Sequence, residues 1–389
     1  MEIESQIIEE FRKVLQASAV DDRQFTDREL EKFIIARNSD LEKAKDQILG
    51  YFAFQETWNT RDILQWDVPP VLRKFCPGGY SGWARSGHPV WIDIPGKIDI
   101  KGLTMSAKKS DFVRYQIYKV EELLADMRSR NSPDQVIMIH DLSGYSLKLL
   151  FTPGMDILIK VLVLLEDNYP ETLFKCYVVN APRIFPIIYE IVKPFLSKRT
   201  SGKVKILGNN YKEELVAELG PDCLPESYGG NLSGPDGDPE YSLKVCQGGT
   251  VPPEFFADDL GYDLSEFTEA KISPGKSVDE TIKVEKPFSI LSWAFQTKSK
   301  DIQYGLFFRP LEEANSQEQT IIPLMRVNSH LVPEDGIHTC KAAGYYSLRF
   351  DNSYSWFNSK KIHYSFKLSE SSDDVDYNEA QEITENTDL

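Results

Sequence analysis

The sequence lacks the features that mark several functional classes. Its cysteines, Cys76, Cys176, Cys223, Cys246 and Cys340, are odd in number and form no CxxC pair, which argues against a disulfide framework and against a zinc ribbon. No run of about 18 uninterrupted apolar residues is present, so no membrane span is expected. The N-terminal MEIESQIIEEFRK carries acids where a secretory leader needs bases. Cations are outnumbered, 44 Lys and Arg against 60 Asp and Glu, for a net charge of −16. General nucleic-acid binding needs clustered cations, so a nucleic-acid partner is not expected. These absences describe a reduced, soluble, cytoplasmic protein.

Catalytic signatures are lacking as well. No GxGxxG or GxxxxGK[ST] follows a strand, and there is no GxSxG elbow. The histidines, His88, His140, His330, His338 and His363, include no HExxH. Asp93 and Asp141 fall near strand ends, where α/β active sites gather. With no partner apparent in the sequence, each reads as a cap or turn residue. The expectation is a non-enzyme with no cofactor and no metal.

The acids are unevenly spread: Ser369–Leu389 holds eight of them and no Lys or Arg. Such a segment, 370–389, reads as a disordered solubilising tail. Residues 1–70 read as a helical region. Ile3, Ile7, Phe11 and Val14 recur at helical spacing. Thr26–Glu29 and Ser39–Glu42 each fit a capping box. From 71 to 235 strands and helices alternate, which implies a mainly parallel sheet with right-handed crossovers. The strands are PVWIDI (89–94), VIMI (136–139), CYVV (176–179) and KVKIL (203–207). The helices are a long amphipathic one with Phe112, Tyr115, Val120, Leu123, Leu124 and Met127, one opening at Thr152-Pro153, one over 184–197 and one over 211–219. VIMI, apolar throughout, reads as a strand buried on both faces. LSGPDGDPE (232–240) marks a boundary. Over 250–369 the period becomes two, as in Ile302, Tyr304, Leu306 and Phe308, which argues for an antiparallel β-sandwich.

Apolar surface is what the sequence has in excess. The helix after Pro153 is apolar on all sides except at Asp156 and Lys160, and the helix over 184–197 covers more than one face with Phe185, Ile188, Val192 and others. Such a helix is buried all round or meets a lipid-like medium. Two core helices over a sheet satisfy this; so do a cavity wall and a membrane-facing gate.

Five ordered segments resemble the CRAL-TRIO lipid-transfer family: Asn168-Tyr169-Pro170-Glu171-Thr172-Leu173, Asn180-Ala181-Pro182-Arg183-Ile184-Phe185, Val192-Lys193-Pro194-Phe195-Leu196-Ser197, Lys203-Val204-Lys205-Ile206-Leu207-Gly208 and Leu224-Pro225-Glu226-Ser227-Tyr228-Gly229-Gly230. Trp293-Ala294-Phe295-Gln296-Thr297, His330–Gly336 and Gly344–Ser355 are similar to a GOLD domain, as in the tocopherol-associated, supernatant-protein-factor branch.

The resemblance implies a three-layer α/β lipid cage whose gate is the helix 184–197. It implies that phosphatidylinositol, or a tocopherol-like isoprenoid, is enclosed singly and exchanged at membranes. By match to the family's motifs, Arg37, Glu171 and Lys203 would hold a lipid headgroup: two cations for a phosphate and a carboxylate for inositol hydroxyls. Here the preamble reads Lys32-Phe33-Ile34-Ile35-Ala36-Arg37, with Ile35 where the family commonly has Arg. The alternative reading of Arg37 and Glu171 is a salt bridge that pins the preamble to the cage. Phe185, Ile188 and Val192 share one helical face and are pocket or gate candidates, with Leu162 and His140 behind them. His140 reads otherwise as a satisfied core histidine. The partners implied are one hydrophobic lipid, a membrane surface met transiently (Golgi or endosomal), and, in the rival reading of a lipid-sensing adaptor, a protein held by the GOLD domain.

Overall fold

The computed structural model describes residues 4–18, 20–145, 153–183, 185–257, 267–311 and 317–369, with the side chains of 153–157, 187, 188 and 191 excepted. The acidic tail, Thr152 and Ile184 lie outside these. The chain forms two compact units: residues 1–57, 268–328 and 337–389 make one, and residues 58–267 with 329–336 the other.

In the first unit, helices α1 (Ser5–Ala17), α2 (Asp27–Ala36) and α3 (Leu41–Trp58) enclose Phe11, Leu15, Phe25, Leu30, Phe33, Ile34, Ala44 and Ile48. The helical spacing read from Ile7, Phe11 and Val14 corresponds to α1. The capping box of α2 forms as expected. Thr26 accepts from the Glu29 amide at 3.3 Å, and Glu29 Oε2 accepts from the Thr26 amide at 2.8 Å. The second expected box does not form. Ser39 has φ +63°, and Asp40 takes its place, accepting from the Lys43 amide at 3.1 Å.

Strands β6 (Thr268–Ile272), β7 (Ser277–Val284), β8 (Ile290–Thr297), β9 (Ile302–Pro310), β10 (Gln319–Val327), β11 (Glu334–Thr339), β12 (Gly344–Asp351) and β13 (Lys360–Ser369) form two antiparallel four-stranded sheets, in the orders β10-β9-β12-β7 and β11-β8-β13-β6. Alternation places Ile302, Tyr304, Leu306, Leu348 and Phe350 of one sheet against Trp293, Phe295, Ile362 and Tyr364 of the other. Phe295 meets the Tyr304 and Phe350 rings edge-on at 4.9 and 5.0 Å, the arrangement ring quadrupoles favour.

The second unit is built on a five-stranded sheet in the order β1-β2-β3-β4-β5: Gly79–Trp83, Pro89–Asp93, Val136–Asp141, Leu173–Val179 and Val204–Ile206. The β1–β2 pair is antiparallel and the other pairs are parallel. One face carries Val90, Ile92, Ile137, Ile139, Tyr177 and Val179, packed on Leu215 and Leu219 of a C-terminal helix over 211–219 and on Leu224 and Tyr228 beyond it. The turn-rich stretch 232–240 does not end this unit. The chain after it is held there by Val245, fully buried in the same core, and by a 2.8 Å bond from the Gly78 amide to the Cys246 carbonyl.

Candidate functional site

The opposite face of that sheet does not pack solid. It faces a cavity of about 430 Å³. Strand alternation decides which residues reach it. Trp91 and Asp93 from β2, Val136, Met138 and His140 from β3, and Cys176 and Val178 from β4 all line it. The reading of VIMI as buried on both faces is thereby corrected: Ile137 and Ile139 enter the core, and Val136 and Met138 form the cavity wall. An apolar strand reads the same whether its second face meets protein or a hydrophobic void.

After the short α4 (Pro70–Phe75) and α5 (Ile100–Thr104), longer helices complete the wall. Along α6 (Lys109–Ser129), Gln116, Lys119, Val120, Leu123, Leu124 and Met127 face inward, the 3–4 spacing of one helical face. Along α7 (Pro153–Asn168), Leu158, Val161, Leu162 and Leu165 do the same, while Val163 is turned outward. One face of this apolar helix is thus cavity wall. Helix α8 (Phe185–Val192) runs into a 3₁₀ turn, Lys193–Phe195, so the expected continuous helix over 184–197 is interrupted near Pro194. Phe185, Tyr189, Val192 and Leu196 face the cavity.

Two polar clusters interrupt this lining. At the C-terminal ends of β2 and β3, His140 Nδ1 lies 3.2 Å from Asp93 Oδ2. Burial pushes the Asp93 carboxyl up, but His140, Lys119 and the Ile94 amide outweigh it and hold it below its usual range. Lys119 lies over the Trp91 and Tyr115 rings, 5.2 Å from each centroid, a cation–π placement. Two thiols line the same region. Burial raises Cys76, and raises Cys176 to about 12. Both stay protonated, and a protonated thiol is a poor nucleophile. Asp141, the next residue along β3, points the other way and accepts from Tyr228 Oη at 2.7 Å and Asn180 Nδ2 at 2.9 Å.

The second cluster lies at the opposite strand ends, just before β4 and β5. Glu171 accepts from Arg199 Nε at 2.6 Å and from Lys203 Nζ at 2.8 Å. Lys203 also donates to the Leu173 carbonyl at 2.7 Å. Burial pushes the Glu171 carboxyl up, and its bonds to Arg199 and Lys203 bring it below the usual carboxylate range.

The structure thus brings Glu171 and Lys203 together, and places Phe185, Val192, Leu162 and His140 on the cavity wall. The side chain of Ile188 lies outside the described residues. Arg37 is the C-cap residue of α2, in the first unit. Glu171 takes ion pairs from Arg199 and Lys203. Sequence reasoning missed Arg199, Lys119, Tyr189 and the role of Asp93. A heptad-spaced inner face on α6 was readable; the Asp93–His140 meeting depends on sheet register.

Residues 76–230 match the CRAL/TRIO domain, and residues 257–376 match a domain described as F28H7_8_C:-like, C-terminal domain. The first of these matches falls within the second unit. Among similar proteins, CRAL-TRIO domain-containing protein T23G5.2 of Caenorhabditis elegans is 28% identical over 72% of this chain and 41% of its own length. Protein ctg-1 of the same organism is 24% identical over 94% of this chain and 96% of its own length. Protein real-time of Aedes aegypti is 26% identical over 78% of this chain and 49% of its own length. The chain thus spans less than half the length of two of these relatives. Among solved structures, Sfh5 aligns over 62% of this chain and 96% of its own, at 20% identity and a TM-score of 0.49. Among the described residues no helix is long and apolar enough to cross a membrane.

Proposed function

We propose that this protein encloses one lipid in the cavity of its CRAL/TRIO domain and exchanges it at membranes, without changing it covalently. The observation that carries this reading is the cavity itself: about 430 Å³ between a sheet face and three helices, with apolar side chains over most of its wall. That size falls within the roughly 300–1,000 Å³ of small-molecule sites. Two acyl tails hold about 30 methylenes, and at ~0.8 kcal/mol each their exposure costs about 25 kcal/mol. A closed apolar cavity removes most of that cost in transit. The helix that includes Phe185, Tyr189 and Val192 serves as the gate, opening where the bilayer replaces the cavity as solvent.

The ligand class follows from the two polar clusters. Glu171 with Lys203 suits an anionic headgroup rich in hydroxyls, as in phosphatidylinositol. Asp93 with His140 suits a ligand hydroxyl, as in a tocopherol-like isoprenoid. The reading of the C-terminal sandwich as a GOLD module belongs to this proposal and rests on the motif resemblance.

Mass spectrometry of lipids that copurify with the native protein tests it. A stoichiometric, chemically unaltered lipid is the expected result. Recovery of no lipid, or of hydrolysed products, would overturn it. Lys203→Ala separates the ligands: phosphoinositide transfer is lost while neutral-lipid uptake persists. Equal loss of both would assign this side chain to folding.

A further inference from the structure

Two aromatic rings stand in solvent at one end of the sandwich. Trp356 is 84% exposed and Phe357 92%. They are adjacent in the loop between β12 (Gly344–Asp351) and β13, and the loop around them is strongly held. Asn352, itself fully buried, donates through Nδ2 to the Ile272 carbonyl at 3.2 Å and to the Asn358 carbonyl at 2.9 Å. Its amide donates to the Lys276 carbonyl at 2.9 Å. Tyr354 donates to Asp301 at 3.2 Å, beneath the Arg326 guanidinium at 4.3 Å from its ring centroid. Side chains that hold a loop this firmly leave its two largest apolar groups projecting, so the exposure is built into the fold.

The surroundings carry positive charge. The same hydrogen bonds gather three loops, 273–276, 298–301 and 352–359, at this end. They contribute Lys276, Lys298 and Lys300, all exposed. Lys300 Nζ donates to Asn358 Oδ1 at 2.5 Å, beside the two rings. The acids of the region are spoken for: Asp301 pairs with Lys360 at 2.9 Å and with Arg326, and Asp351 is buried and accepts from the Ser353 amide at 3.0 Å. A cationic end on a chain of net charge −16 is a local reversal of sign.

We propose that this tip is a membrane-docking site for anionic lipid surfaces. Trp356 and Phe357 enter the interface, and Lys276, Lys298 and Lys300 meet the phosphates. An indole ring suits the headgroup level, being apolar in body and polar at one atom. Each cation near an anionic leaflet adds attraction, which salt screens. A protein partner would need no cationic collar around the rings, so the lipid surface is favoured. The proposal is independent of the cavity and of its ligand.

The test is cosedimentation of the full chain with phosphatidylcholine vesicles with and without phosphatidylserine, at low and high salt. Binding is expected only with phosphatidylserine and is weakened by salt. Trp356→Ala with Phe357→Ala lowers partitioning by at least about tenfold, with an unchanged melting temperature because neither ring is packed. Lys298→Glu with Lys300→Glu has the same effect. Brominated lipid quenches tryptophan fluorescence in the wild type and much less in Trp356→Phe. Val120→Trp, which blocks the cavity, leaves vesicle binding intact. Unchanged partitioning of the aromatic variant, equal binding to neutral vesicles, or a tip that captures a protein partner but no vesicle would overturn the proposal.

Discussion

His140 Nδ1 stands 3.2 Å from Asp93 Oδ2 because the two residues are register partners on adjacent parallel strands, both turned toward the cavity. Asp93 as acceptor favours a proton on Nδ1, which leaves Nε2 as the acceptor for a ligand hydroxyl. His140→Leu removes that acceptor. Loss of one hydrogen bond inside an apolar site costs about 1–3 kcal/mol. Retention of a hydroxylated lipid should therefore fall about tenfold, read by mass spectrometry of lipid retained through purification. A lipid without a free hydroxyl should be retained as before, and an equal loss of both would reject the assignment.

Val120 projects from α6 into the same space. Val120→Trp adds bulk where there is a void, not where there is protein, so the usual 1–3 kcal/mol penalty of overpacking a filled core is avoided. The expected outcome is a protein with little copurified lipid and a melting temperature equal to or above that of the delipidated wild type. A strongly destabilised variant would mean that the space is filled by protein in solution.

The Glu171 carboxylate is held below its ordinary range against its own burial. A carboxylate depressed on folding stabilises the folded state above its unfolded value, 4.5. That contribution is lost as pH falls through the depressed folded value. Removing both cations, Arg199→Ala with Lys203→Ala, leaves a partly buried carboxylate unpaired at neutral pH. The cost is about 1–3 kcal/mol, read as a lower urea midpoint at pH 7. Below about pH 4 the gap between variant and wild type should narrow.

Much of this architecture was legible in the sequence, for physical reasons. Strand and helix periods placed β2, β3, β4 and the helices around them, because those elements are long and strongly patterned. β1 was not found: Gly-Tyr-Ser-Gly-Trp (79–83) has two glycines, which weaken a strand signal, and its Ser81 is held by the Cys223 carbonyl at 2.7 Å, a distant tertiary contact. The cap of α3 was placed at Ser39 when Asp40, one residue on, does the work, since both fit the same local rule. In the candidate site, Glu171 and Lys203 were legible through motif order. Arg199 and Asp93 were not, because their meaning comes from partners far along the chain. A cavity wall also looks like a core in any local pattern, so Met138 and Val178 gave no sign of which they were.

Within the sandwich, Lys360 is buried, its side chain 3% exposed, and its ammonium lies 2.9 Å from Asp301 and 5.5 Å from the centre of the Tyr354 ring. Burial pushes the Asp301 carboxyl up, but Lys360 and Arg326 bring it down to about 2. Against an ordinary value of 3.8, that shift amounts to about 2 kcal/mol of stability at neutral pH, lost as pH falls through about 2. Asp301→Ala strands the buried ammonium and should cost about 3 kcal/mol, read from urea unfolding at pH 7. Lys360→Met in the same chain removes the stranded charge and should recover most of that loss. Asp301 also anchors Tyr354 beside the exposed rings, so Asp301→Ala, which leaves no acceptor there, should loosen the loop and weaken vesicle binding. The double variant should regain stability without regaining binding, because Tyr354 still lacks its acceptor. Recovery of both together would show that the tip needs only a folded sandwich and not this particular tether.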